Sequence, residues 1–448
     1  MVDPKQLVDL DNGIQSKRVF WDQDIYEQEL ERVFARCWLF LTHENAIPEP
    51  GDFMTTYMGE DSVIVVRQRD GSIRAFANSC THRGNKVCHA DSGNAKAFTC
   101  NYHGWSFGTD GSLAGVPLEQ QSYYGEIDRS QWGLREVALV DSYHGFVFGC
   151  FDAEAPPLKE YLGEMGWYMD AWMKGTGGAE LLGPPMKSIL RCNWKVPSEN
   201  FIGDGYHVGW THAAALQTMG GPLAGLAGNA EIPMDDVGMQ VTTRHGHGFG
   251  AIWEMAATLH TKSAAAYQEW IEAKTPQVAE TLDDWRARFY RAHWNSGIFP
   301  NCSFLYGTNI FKIWHPRGPH EIEVWSWSIA EKNMPVELKR SLQQQAIMTF
   351  GTAGTLESDD GENMETCTHS NRGYMTRQGS MNSAMGIGHE GPHPELPGVI
   401  GKNFIGETSY RGFYRFWREI MGAESWGDVR ANDEQWIEQW LGDKQRVA

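Results

Sequence analysis

The sequence predicts an α+β protein: a small all-β unit around clustered cysteines and histidines, then a larger unit with an antiparallel sheet flanked by helices. Three observations carry this reading. Asp70-Gly71 joins the β-rich runs of SVIVVRQRDGSIRAFAN, and Asp110-Gly111 repeats the device in FGTDGSLAG; Asp-Gly between such runs is a strong hairpin signal. Beyond the proline-marked stretch EAPPLKEYL, helical periodicity mixes with long β-rich runs. Finally, CTHRGNKVCHADSGNAKAFTCNYHGW, residues 80–105, gathers three of the eight cysteines together with three histidines.

The elements follow in order. Residues 17–45 place Tyr26, Leu30, Val33 and Phe34 at helical spacing, which predicts one amphipathic helix. The texture turns to β from about residue 39, and HGFVFGCF (144–151) reads as a further strand. Later, NCSFLYGTN, NIFKIWHPRG and EIEVWSWSIAEK read as antiparallel strands, with a turn at Pro316-Arg317-Gly318. The expected division is a helical segment over 1–38 that packs with the larger domain, an all-β domain over 39–155, and the larger domain over 156–448. GGPLAGLAGN (220–229) is the most flexible-looking loop.

Composition narrows the function. With 448 residues, 41% apolar and 21% charged, the chain is globular. It shows no basic-plus-apolar leader and no apolar run of about 18 residues, so a soluble cytoplasmic protein without a membrane role is expected. A formal charge of −19 argues against nucleic acid as a partner. Eight cysteines in so long a chain point to metal rather than to a secreted disulfide framework.

In the cluster, Cys80-x-His82 and Cys100-x-x-His103 each offer one thiolate and one imidazole. Zinc accepts such a set, or Cys80, Cys88, Cys100 and His103. Two cysteines on one iron and two histidines on the other is the ligand set of a Rieske [2Fe-2S] centre, and two hairpin loops suit it. Gly84 and Gly104 supply the tight turns, Trp105 shields the group, and Cys88 and His89 read as structural.

A cluster that only relays electrons needs something to reduce. NWKVPSENFIGDGYHVGWTH (193–212) sets His207 and His212 five apart. On an ideal helix that spacing leaves them roughly 140° apart, so a π-type distortion is expected between them, eased by Gly205 and Gly209. Two imidazoles and one carboxylate make the facial triad of non-heme Fe(II) oxygenases. TLESDDGENMETC (355–367) offers Glu357, Asp359, Asp360 and Glu362. If helical, it places Leu356, Asp360, Met364 and Cys367 on one face and Asp359 towards polar neighbours, so Asp360 is the expected ligand.

These stretches, with IGETSYRGFYRFW, resemble the α subunit of the Rieske non-heme iron ring-hydroxylating dioxygenases over essentially the whole chain, most closely those acting on naphthalene, biphenyl and larger polycyclic aromatics. The resemblance implies a [2Fe-2S] cluster on Cys80, His82, Cys100 and His103 and a mononuclear Fe(II) on His207, His212 and Asp360. It implies a ferredoxin and a separate NAD(P)H reductase as electron donors, and an α3β3 hexamer with a β subunit, or α3. GTGGAE (175–180) is no nucleotide fingerprint, so flavin and nicotinamide bind elsewhere. Asp204 matches the residue that bridges the cluster of one subunit to the iron of its neighbour, and Arg83 and Lys86 are candidates for contacting an acidic ferredoxin.

Around the expected iron, Asn200, Phe201, Val208, Leu216, Phe350 and Leu356, with Leu223 and Leu226 from the loop, make an apolar cavity suited to a hydrocarbon. Gly205 is expected to widen it. By resemblance His293, Asn295, Leu305, Ile310 and Phe404 line it as well. The implied reaction is insertion of both atoms of O2 into adjacent ring carbons to give a cis-dihydrodiol. A Rieske monooxygenase or demethylase shares every ligand, and a non-catalytic electron carrier would hold only the cluster.

Overall fold

The computed structural model describes residues 2–220, 225, 228, 236–257, 262–433 and 435–441. The chain forms two compact units, one of residues 34–158 and one of residues 1–33 with 159–448.

The 34–158 unit is all-β, with short helical turns, in three small antiparallel sheets. One orders Ile73–Ala77, Asp61–Arg67, Asp52–Met58 and Ser92–Asn94. One of its two inner strands, Asp61–Arg67, runs Val63, Ile64, Val65, Val66 with all four side chains buried, so both faces of that strand are covered. The turn at Gly71 has φ +87°, as an Asp-Gly hairpin requires. Gly111 has φ +82°, and a Cβ there would sit 2.4 Å from the Phe76 ring, so close packing as well as turn geometry calls for glycine. A second sheet joins Leu113–Gly115, Ser106–Gly108 and Ala97–Thr99, and a third Leu139–Tyr143, Phe146–Cys150 and Leu39–His43.

The single helix expected over 17–45 is instead three pieces. A 3-10 turn, Lys17–Phe20, is capped by Ser16, and an α-helix, Gln23–Glu29, by Asp22. Leu30–Phe34 winds as one π turn, and Leu39–His43 is a strand. The two capping side chains restart the helix at residue 23, where apolar spacing alone suggests continuity.

The larger unit is built on a nine-stranded antiparallel sheet. Its spatial order is Ala179–Leu190, Ile322–Glu331, Ile310–Pro316, Cys302–Tyr306, His293–Ile298, Gly248–Ile252, Gly238–Thr242, Val399–Gly401 and Glu390–Pro392. Every residue of Cys302–Tyr306 and Ile310–Pro316 is buried, so both faces of these strands are covered. The turn after Pro316 has Gly318 at φ +87°. Among the described residues no helix is long and apolar enough to cross a membrane.

A buried carboxylate ties the N-terminal helix to this unit. Glu29 is fully buried; it accepts the indole N–H groups of Trp194 and Trp417, both at 2.8 Å, and pairs with the Lys195 ammonium at 2.7 Å. Removing one member of such a set strands the others without water. Glu29→Ala is therefore expected to destabilise the unit by about 3–5 kcal/mol; chemical denaturation with an unchanged midpoint would refute this.

Candidate metal centres and active site

Two loops present the first ligand set. Cys80 to Asn85 forms one closed turn, with Cys80 N–H donating to Asn85 O and Gly84 N–H to Cys80 O, both at 2.8 Å. The second, after strand Ala97–Thr99, repeats the pattern: Cys100 N–H donates to Trp105 O at 2.8 Å and Gly104 N–H to Cys100 O at 2.9 Å. Gly84 and Gly104 take φ +73° and +76°, and a Cβ on Gly104 would meet Pro117 at 2.9 Å. The His82 and His103 ring centres lie 4.6 Å apart, and Trp105 stacks on His82 at 4.9 Å.

This site fits a two-iron cluster. His82 Nδ1 is buried and has no hydrogen-bond partner, as suits a ligand atom. Burial raises both thiols; at Cys100 the donors from Tyr102, Asn85, Cys80 and His103 outweigh it and hold that thiol below its usual pKa, while Cys80 stays above its own. A single zinc ion would draw its ligands round one point. Among the described residues the one group of three donor atoms within 4.8 Å of one another lies elsewhere. Cys88 sits in the core beside the loops.

That other group is His207, His212 and Asp360. The expected π distortion is absent. Val208–Thr211 is one helical turn, His212 at φ −97°, ψ 16° breaks it, and Ala213–Met219 continues as a separate helix. The break does the work assigned to a bulge, leaving the two rings 5.2 Å apart. The unusual backbone of this segment is at Gly203, with φ +132°, where a Cβ would strike Gly250 N at 2.6 Å. Glycine there lets the segment press against the sheet.

Asp360 lies on the helix Thr355–Asn371 and is 4% exposed. Its Oδ1 is 3.3 Å from His207 Nε2 and 3.2 Å from His212 Nε2, yet it forms no well-directed hydrogen bond. Three donor atoms of these types gathered within 4.8 Å of one another suit a single cation. The electrostatics agree. Burial would raise the Asp360 carboxyl, but the two imidazoles hold it far below the usual carboxylate range. Burial would lower His207, but Asp204 and Asp360 raise it to about 10. On the same helix Leu356 and Met364 are buried as expected, but Cys367 is exposed and Thr368 is buried in its place, because the buried face recurs every four residues here.

Carboxylates hold the far side of each imidazole. Asp204 accepts the N–H groups of Tyr206 at 3.1 Å and His207 at 3.2 Å, and its Oδ2 lies 3.3 Å from His207 Nδ1. Asp359, expected only to face polar neighbours, has Oδ2 3.4 Å from His212 Nδ1. The Asn200 amide nitrogen lies 3.4 Å from His207 Nδ1.

The triad opens on an apolar pocket. Asn200, Phe201, Gly205, Val208 and Leu216 line it from the segment that carries the histidines. Phe350, Leu356 and Phe404 close other sides, and His293, Asn295 and Leu305 form the sheet floor. Gly203, Gly250, Ile252 and Met255 also line it; the two strand residues among them come to the floor through sheet register, which no local pattern reveals. Two expectations need correction. Ile310 does not line the pocket: it pairs with Leu305 one strand further along the sheet, so Leu305 stands at the wall. Gly205 does not widen the space, because a Cβ there would sit 2.6 Å from the Phe404 ring; the glycine makes room for Phe404. Leu223 and Leu226, with most of the 220–229 loop, lie outside the described residues.

Residues 37–148 match the Rieske [2Fe-2S] domain and residues 158–423 the ring hydroxylating alpha subunit (catalytic domain). The chain belongs to the ring-hydroxylating alpha subunit family. It is 46% identical over 436 residues to the large oxygenase component of a naphthalene 1,2-dioxygenase system from Pseudomonas aeruginosa, covering 96% of this chain and 97% of the relative. It is 40% identical to the biphenyl 2,3-dioxygenase subunit alpha of Rhodococcus jostii (strain RHA1), covering 96% and 93%. A naphthalene 1,2-dioxygenase structure with indole in its active site superposes with a TM-score of 0.95 at 43% identity, covering 98% of this chain and 99% of that one. Family membership implies a Rieske cluster and a mononuclear iron as cofactors, and both donor sets are present in this chain.

The two neighbouring aspartates separate ligand from support. Asp360→Ala is expected to lose the mononuclear iron while keeping cluster iron and sulfide. Asp359→Ala should bind that iron about 10–100-fold more weakly. Iron and acid-labile sulfide analysis after chelator dialysis checks both; equal iron retention in the two variants would overturn the assignment.

Proposed function

We propose that the chain is a terminal oxygenase that adds both atoms of O2 to adjacent carbons of an aromatic, multi-ring hydrocarbon, giving a cis-dihydrodiol. One observation carries this reading: an apolar pocket ends on a facial set of two imidazoles and one carboxylate. Bound iron supplies the electron exchange with O2, and the cluster supplies the electrons. The rest is the work of side chains. Phe201, Leu305, Phe350, Leu356 and Phe404 hold a flat hydrocarbon by shape and keep water out. Asp204 and Asp359 fix the ring orientations of His207 and His212. Two electrons and two protons complete the balance for each O2 added to the ring.

The relatives are named as large oxygenase components of systems, which supports further components for this chain: a ferredoxin, and through it an NAD(P)H reductase. Arg83, exposed beside the cluster loop, is a candidate contact for an acidic ferredoxin. A β subunit and an α3β3 assembly belong to the same proposal. In it, Asp204 accepts the free N–H of His103 from a neighbouring subunit as well as that of His207, and so joins the two centres. Its carboxylate is 38% exposed, which leaves room for a second partner.

Incubation with naphthalene, biphenyl or a four-ring hydrocarbon, ferredoxin, reductase and isotope-labelled O2 tests the reaction. A dihydrodiol carrying two labelled oxygens is expected; a phenol carrying one would make the chain a monooxygenase. Asp204→Asn should retain both metals and lose product formation by about 10–100-fold. Full product formation would remove the bridge from the account.

A further inference from the structure

A fully buried lysine of the larger unit takes no part in the chemistry described so far. Lys312 lies in the inner strand Ile310–Pro316 with its ammonium fully buried, and it pairs with the Glu357 carboxylate, itself buried. The ammonium lies 5.3 Å from the ring centre of Phe201, 5.3 Å from that of Trp314 and 5.7 Å from that of Phe350. Those distances fall inside the roughly 6 Å reach of a cation–π contact, which is strongest where water is excluded. The rings also touch one another: Phe201 meets Trp314 edge-on at 4.9 Å and Phe350 at 6.1 Å. Phe201 and Phe350 are walls of the substrate pocket; Lys312 and Trp314 stand behind them.

The other half of the pair bears on the metal site. Glu357 is one turn before Asp360 and next to Leu356, a third pocket wall. The helix Thr355–Asn371 begins after Gly354 with no side chain capping its first turn. The ion pair therefore fastens an otherwise uncapped turn to the sheet at the point from which Asp360 projects. Stability gives no reason for the choice, since a well-packed apolar pair of the same volume is as stable or more so.

We propose that Lys312 and Glu357 are a positioning pair: together they brace Phe201, Phe350 and the turn bearing Asp360, and so set which edge of an aromatic substrate faces the reaction site. The inference deepens the dioxygenase reading and rests on it for its product readout. Neither residue lines the pocket, and neither touches substrate.

The test uses the iron-loaded full chain with its electron donors and two variants. Lys312→Met combined with Glu357→Leu removes both charges and keeps volume; Glu357→Gln keeps shape and leaves the ammonium unpaired. With phenanthrene or biphenyl, whose edges are inequivalent, the ratio of dihydrodiol isomers should shift by about threefold or more in each folded variant, the scale of a single cation–π contact. The EPR spectrum of the ferrous protein treated with nitric oxide should change in line shape while the spectrum of the reduced cluster stays as in the wild type. An unchanged isomer ratio and an unchanged nitrosyl spectrum in a folded variant overturn the proposal. If the double variant fails to fold, Glu357→Gln decides by the same two readings. If the wild type makes no diol, the functional reading fails, and the nitrosyl spectrum alone then decides the role of the pair.

Discussion

The catalytic unit is organised around one buried point on which the Asp360 carboxylate and two imidazoles converge. Putting a carboxylate in so dry a place is costly unless positive charge meets it. Here two imidazoles, whose outer nitrogens face Asp204 and Asp359, converge on it and leave a place where a cation can meet the charge. A proton or a metal ion satisfies the same geometry, and an Fe(II) ion is the occupant the facial arrangement favours.

Much of the surrounding architecture serves that convergence. The helix break at His212 swings the second imidazole back towards the first. Gly203 lets the histidine-bearing segment lie against the Gly250 backbone, and Gln240 reinforces the contact by donating to Gly203 O at 2.7 Å and Phe404 O at 3.0 Å. Gly205 then admits the Phe404 ring. These close approaches exchange side-chain volume for a rigid frame, and the apolar pocket is the space that remains between helix and sheet.

The hairpins at Gly71 and Gly111 were legible because one residue type carries the turn, and the cluster loops because their ligands are close in sequence. The triad was legible for a different reason: histidines five apart and a carboxylate on an otherwise apolar helix face are each unusual. What could not be read locally depends on long-range register or on caps. Ile310 and Leu305 look alike in sequence, yet only the order of strands puts Leu305 at the wall. The Ser16 and Asp22 caps cut an apolar run that periodicity alone would continue. Asp359 faces polar surroundings, as its helical angle requires, but that its neighbour there is His212 follows from tertiary packing. Lys312 gave no signal at all, since a lysine inside a strand reads as an exposed position.

The proposed chemistry needs two distinct iron environments in one chain, a pair of irons between cysteines and histidines and a single ion between His207, His212 and Asp360. Diffraction from crystals of the iron-loaded protein at the iron absorption edge tests this most directly. A strong peak is expected between Cys80, His82, Cys100 and His103, and a second one within bonding distance of His207, His212 and Asp360. A triad with its imidazoles turned apart and no peak among them would contradict it.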